Sequence, residues 1–252
     1  MLSGLLEKRS LRLSLAVISL VSLTGYAFPF VTKSLLSPRA SWAYHYTETL
    51  FSNGSLVYEF NADWEYWINS LYRDTLIIEV NGTVHHRYFL KNGSYVTFNW
   101  TDHSWFFVNT KTRMYGQGYY TSWWIPTNIY FGDTVPVWNL NLRVIGLAWV
   151  IIDGQLIECW VLKYERPREE YTFLYERTTG LFVKMVFKRT VGKSQLTAER
   201  QITNMSFTWP LLALMRPFLI LIAIAAIIIL TVSYREDLKR FLKKPERIPV
   251  IL

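Results

Sequence analysis

Residues 143–164 read RVIGLAWVIIDGQLIECWVLKY, two ten-residue runs on either side of Asp153-Gly154. Apolar runs of this length also occur in buried helices. Here they are rich in Val, Ile and Trp, and the dipeptide between them suits a two-residue hairpin turn, whose central positions both need positive φ. The stretch therefore predicts a β-hairpin. Both of its strands are apolar on both faces, as expected of central strands.

The same grammar extends outward. In SYVTFNW (94–100), Val96, Phe98 and Trp100 alternate with Tyr95, Thr97 and Asn99, so the two sets face opposite sides of a strand. Asn81-Gly82 and Asn92-Gly93 predict further hairpins, and ERTTGLFVKM (176–185) predicts a turn with Gly180 at positive φ. One exception is DWEYWINSLYRD (63–74), where Trp64, Trp67, Ile68 and Leu71 share a helical face and predict a short helix. The fold class is mainly β: about ten antiparallel strands in a meander, closed or partly closed as a half-barrel, barrel or sandwich.

Charge places this domain. The chain of 252 residues carries a net +8, yet residues 40–209 hold 15 Lys/Arg against 15 Asp/Glu. The excess lies wholly in the flanks, beside the most apolar segments, where Lys and Arg orient membrane insertion. That distribution argues against a nucleic-acid partner and for a membrane. Leu211–Val232 is long enough to cross a bilayer, about 33 Å as a helix. Pro217 fits its first position, leaving Arg216 at the outer interface or facing another transmembrane helix. Arg235, Lys239, Arg240, Lys243 and Lys244 follow and mark the cytoplasmic side. At the other end, Lys8, Arg9 and Arg12 precede an apolar run that reads as a signal peptide cleaved after Ala27, or as a retained signal-anchor over Leu11–Phe30. The expected organisation is a cytoplasmic start and signal segment (1–34), an extracytoplasmic β domain (35–209), a transmembrane helix (210–234) and a basic cytoplasmic tail (235–252), all in the cell membrane.

Five sequons begin at Asn53, Asn81, Asn92, Asn99 and Asn204, all in the outward domain, and make it a candidate glycoprotein. Sequons without disulfides suit an archaeal cell surface. The single cysteine, Cys159, sits in an apolar strand and reads as a buried, inert thiol. Asp102-His103-Ser104 lies between two strand patterns and reads as a turn; consecutive residues point apart and cannot form a triad. His85 and His86 fall on opposite faces of one strand, so no metal is expected, nor any other cofactor. No catalytic motif appears, and the chain reads as a non-enzyme. All 11 Trp lie between residues 42 and 209. Among them YYTSWWIP (119–126) is the best exposed candidate, because Tyr119, Tyr120, Trp123 and Trp124 cannot all point inward.

The run FGDTVPVWNLNLRVIGLAWVIIDGQLIECWVLKY, followed by YTFLYERTTGLFVKM, resembles extracytoplasmic half-barrel domains of the LolA/lipocalin-like type. In these a GD-x-V strand leads to two hairpins, the second ending in Y-x-x-x-TG-L-x-x-K. The resemblance covers about residues 130–187. It implies a concave face that binds lipid or another hydrophobic ligand, or a docking module. The expected function is a membrane-anchored binding domain for such a ligand. The alternatives are a non-catalytic accessory subunit held in a membrane complex through its helices and Arg216, and a surface glycan-binding module using Tyr119–Trp124.

Overall fold

The computed structural model describes residues 14–17, 40–116, 118–206 and 211–242. Ten strands form one sheet: β1 (Ser41–Ser52), β2 (Ser55–Tyr72), β3 (Thr75–Phe89), β4 (Tyr95–Asn109), β5 (Thr134–Val137), β6 (Leu140–Ile152), β7 (Gln155–Arg166), β8 (Glu169–Glu176), β9 (Phe182–Val191) and β10 (Ser194–Met205). Their order is β4-β3-β2-β1-β10-β9-β8-β7-β6-β5, with every pair antiparallel. Two meanders thus join along the β1–β10 seam, and β4 and β5 are the edges. Residues 110–133 cross from one edge to the other. Isolated bridges Val108–Tyr115, Met114–Tyr120 and Tyr120–Trp138 stitch the edges together through this segment. The result is a partly closed half-barrel.

Turn chemistry follows the sequence at most corners. Asp153 (φ 49°) and Gly154 (φ 76°) both take the left-handed region that a type I′ hairpin needs. Three expectations are corrected. Residues 63–74 are not a helix: Asp63–Tyr72 continue β2, and Arg73 (φ 53°) turns the chain into β3. Cross-strand pairing along β1 and β3 outweighs a weak local helical period. Asn81-Gly82 is no turn either, but lies mid-way along β3, opposite Glu65 and Trp64. Asp102-His103-Ser104 likewise sits inside β4, a single unbroken strand. β7 is buried on both faces as expected, whereas Ile145, Leu147, Trp149 and Ile151 of β6 stay exposed, because β6 lies next to the edge.

The C-terminal helix spans Leu211–Leu242, so Pro217 lies inside it rather than at its start. Proline there forgoes one backbone hydrogen bond, a loss that helices of this apolar kind tolerate. Within it Ala213–Arg235, 23 residues, is long and apolar enough to cross a membrane. In the N-terminal segment only residues 14–17, which are helical, are described; the cleavage site at Ala27 and the rest of Leu11–Phe30 lie outside the described residues.

Candidate functional site: an aromatic cleft around Arg200

Curling of the sheet brings side chains of both meanders together on its concave face. One row runs across seven strand pairings: Trp100, Val84, Ala62, Tyr46, Arg200, Met185, Phe173 and Leu162. Arg200 is the only charge in it. Its guanidinium lies 4.3 Å from the Tyr44 ring centroid, 5.3 Å from that of Phe182 and 5.4 Å from that of Tyr66. Nη2 donates to the Tyr66 hydroxyl at 2.8 Å. The buried Nε has no hydrogen-bond partner, and among the described residues no carboxylate oxygen lies within 4.0 Å of Arg200.

Glu48 is the acid diagonal to Arg200, since Tyr46 pairs with Arg200 and Glu48 with Ala198. Its carboxylate instead accepts from the hydroxyls of Tyr46 and Tyr58. Burial first, and then that carboxylate, push both phenols above their ordinary range, so they remain donors. The two tyrosines hold the carboxylate away from the guanidinium. Arg200 is left as a cation with aromatic walls and spare donors.

Two lobes meet at Tyr66, Phe106, Trp138 and Arg200. One, of about 760 Å³, lies between edge strand β4 and the β5–β6 turn, lined by Trp105, Tyr115, Tyr119, Trp123 and Asn139 among others. The second, of about 540 Å³, follows the sheet past Tyr46, Glu48, Phe60, Trp64, Tyr171 and Phe187. Both fall within the size range of small-molecule sites. Gly82 shapes the second lobe. A Cβ there would stand 2.2 Å from the Trp64 ring, so the missing side chain is what lets the indole lie across β3.

The crossing segment closes the end of the half-barrel at which β1 starts and β10 stops. Trp123 packs edge-on against Trp42, Tyr66 and Phe106. The Trp123 carbonyl accepts from Phe182 N–H at 2.8 Å, and Ile125 N–H donates to the Gly180 carbonyl at 2.9 Å. Buried Arg113 donates to the carbonyls of Trp124 (2.9 Å) and Pro136 (2.7 Å), holding the segment to β5. Nearby, Glu176 caps its own turn by accepting from the backbone N–H groups of Thr178 and Thr179, both at 2.6 Å. A buried ion pair joins Arg177 to Glu158 at 2.8 Å, with the guanidinium over Trp160.

Residues singled out from sequence separate here. Tyr119 is exposed and lines the cleft with Trp123, which is buried; Trp124 is core, paired with Leu181, and Tyr120 bridges to Trp138. All five sequon asparagines, Asn53, Asn81, Asn92, Asn99 and Asn204, are exposed. Arg216 is fully buried and engaged within this chain. Among the described residues no three His, Cys, Asp or Glu side chains converge as a metal site. Glu48 and Asp102 both line the second lobe. Asp102 stands in register with Gly82, Trp64 and Tyr44, four residues along β1 from Glu48. That offset is about 13 Å along the strands, wider than the carboxyl pairs of glycoside hydrolysis. Arg200 itself escaped notice because AERQ reads as an ordinary charged strand face. Its signal was parity, an arginine alternating with Ala198 and Ile202.

Three solved structures resemble the chain in shape. A Bacteroides fragilis protein described as exported and of YmcC-like fold matches 71% of this chain and 98% of its own, at 9% identity and a TM-score of 0.32. A Parabacteroides distasonis protein described as a lipoprotein matches 71% and 97%, at 12% identity and a TM-score of 0.31. The S-type phycobiliprotein lyase CPES of Guillardia theta matches 66% and 89%, at 10% identity and a TM-score of 0.24. No protein-family model matches the sequence, and no curated protein does. Likenesses this weak assign neither a family nor a ligand.

Proposed function

We propose that the chain is a membrane-anchored, extracytoplasmic binding module for a lipid-like amphiphile. The ligand's apolar body lies on the aromatic concave face and its anionic group meets Arg200. The observation that carries this reading is the cleft itself: a guanidinium walled by Tyr44, Tyr66 and Phe182, without a carboxylate partner, at the junction of two apolar lobes. An arginine in such surroundings pairs best with a carboxylate or phosphate group, through planar, charge-assisted hydrogen bonds. The basic residues after the apolar helix support an orientation with the helix C-terminus in the cytoplasm and the β domain outside. Because Trp123 and Ile125 fill the end nearest the chain's exit and the crossing segment bridges the two edges there, the ligand enters beyond that segment, through the lobe between β4 and the β5–β6 turn.

The accessory-subunit and glycan-platform readings draw less support, since Arg216 is engaged within the chain and only Tyr119 of the Tyr119–Trp124 group is widely exposed. Native mass spectrometry of the full-length protein, gently extracted from its own membranes, tests the choice. A co-purifying amphiphile that is lost in Trp64→Ala supports the proposal. A stoichiometric second polypeptide with an empty cleft would favour the accessory subunit, and a bare chain would count against ligand binding.

A further inference from the structure

The β6–β7 hairpin overhangs the sheet. β8 first pairs at Cys159↔Glu176, so Gln155–Glu158 and their β6 partners continue as a two-stranded ribbon, about 13 Å beyond it. One face of the ribbon, Ile152, Ile157 and Cys159, is buried on the core. The other carries Leu147, Trp149 and Ile151 along β6 and, opposite Ile151, Leu156 of β7, all 39–66% exposed; buried Trp160 and Glu158 stand opposite Leu147 and Trp149. Between Val144 and Leu162 the charged residues are Asp153, at the turn, and Glu158, which is buried in its ion pair. A ribbon apolar on both faces and almost free of exposed charge is out of place in water.

Its position indicates what covers it. Following the antiparallel register, the β6–β7 turn lies at the same end of the sheet as the start of β1 and the finish of β10. From Met205 the chain reaches the apolar helix at Leu211, a span of at most about 20 Å. The β2–β3 turn lies at that end too, with Leu71 and Tyr72 exposed beside Arg73. At the opposite end the β7–β8 and β9–β10 turns are dense in charge, with Arg166, Arg168, Glu169, Lys188, Arg189 and Lys193. Of the other exposed apolar residues, Tyr88, Val96, Phe98 and Trp100 lie on the concave face, and Trp105, Phe107 and Tyr119 line the first lobe of the cleft.

We infer that the exposed face of the β6–β7 hairpin lies on the outer surface of the membrane, with Trp149, Ile151 and Leu156 in the interfacial layer and Asp153-Gly154 at its rim. This inference rests on the reading that the C-terminal helix spans the bilayer. Trp and Tyr favour that layer because an apolar ring and a polar handle suit its two environments. The hairpin docks by its side, since Asp153 at the tip opposes deep insertion. Docking fixes the tilt of the β domain and sets the opening between β4 and the β5–β6 turn at a constant height above the lipid.

The full chain, in a Cys159→Ala background and reconstituted in phosphatidylcholine vesicles, is labelled with an environment-sensitive fluorophore at Ile151→Cys or, separately, at Leu156→Cys. Asn53→Cys, at the opposite end, serves as the reference. Blue-shifted emission at 151 and 156, quenched by lipid-borne nitroxide and shielded from iodide, with a water-exposed label at 53, is the expected result. Labels at 151 and 156 as open to iodide as the label at 53 would overturn the inference. Release of the protein by alkaline carbonate would instead overturn the spanning helix on which it rests.

Discussion

Gly180 offers a direct test of how the crossing segment is held. Its φ is +72°, and a Cβ there would stand 2.2 Å from the Ile125 carbonyl oxygen, a backbone atom that cannot swing aside. Three costs add for Gly180→Ala. The left-handed conformation costs a residue with a Cβ about 1–2 kcal/mol. Overpacking against fixed backbone costs about 1–3 kcal/mol. The hydrogen bond from Ile125 N–H to the Gly180 carbonyl, 2.9 Å long, contributes about 0.5–1.5 kcal/mol and is displaced. The total is roughly 3–6 kcal/mol, a large share of a domain stability of about 5–15 kcal/mol. Gly154→Ala is the matched control. Gly154 has φ +76°, but nothing lies within 4 Å of where its methyl group would stand, so it bears the conformational cost alone. Urea unfolding of the full chain in lipid nanodiscs, followed by tryptophan fluorescence, compares the two. Gly180→Ala should also redden the emission before the main transition, as Trp123 and Trp124 leave the core. Equal losses for the two substitutions, within about 0.5 kcal/mol, would refute the docking of residues 123–125 on Gly180.

Arg200→Gln should weaken binding of dodecanoate about 10- to 100-fold and leave dodecanol unchanged, since a charge-assisted hydrogen bond contributes about 1.5–3 kcal/mol; isothermal titration of the nanodisc-held protein reads the ratio. Arg177→Met should cost about 3–5 kcal/mol by leaving Glu158 buried without its ion-pair partner, measured as a loss of urea stability. Burial raises the pKa of Glu176 despite the hydrogen bonds it accepts. Its folded value thus lies above the unfolded value near 4.5, the folded state holds the proton more tightly, and this carboxyl's contribution to stability falls as pH rises through that interval. Glu176→Gln should flatten that slope when stability is followed from pH 4.5 to 7. Burial, with Glu176 and Glu158 nearby, pushes the Cys159 thiol well above its usual range, so a maleimide should label it only after unfolding.

Strand content was legible because alternation and Asx-Gly turns are local signals, and Asp153-Gly154 and Asn92-Gly93 turn where expected. The failures share one cause. Asn81-Gly82 looks like a turn, but its glycine is there to make room for Trp64, a residue 18 positions earlier that no local window contains. Residues 63–74 have a helical period only because Trp64, Trp67, Ile68 and Leu71 serve strand faces broken by the irregular register between Ile68 and Ser70. The cleft was harder still. Tyr44, Tyr66, Phe182 and Arg200 come from β1, β2, β9 and β10, and only the β1–β10 seam brings them together. In YYTSWWIP, Tyr119 is exposed while Trp123 and Trp124 are buried, a division no local window sets, because Trp124 gains a strand-like pairing with Leu181.

That seam also has a mechanical meaning. Ser41 and Ser206 are latched twice, by Ser41 N–H to Ser206 Oγ at 2.8 Å and Ser206 N–H to the Ser41 carbonyl at 2.9 Å. They sit at the open end of an antiparallel pair, so a pull that separates the two termini of the domain loads the ladder like a zipper, one rung at a time, and not in shear. Such a geometry yields to small forces. The serine latch is therefore the first point of failure under tension, and the domain keeps its shape only while the segments leading to and from it move together.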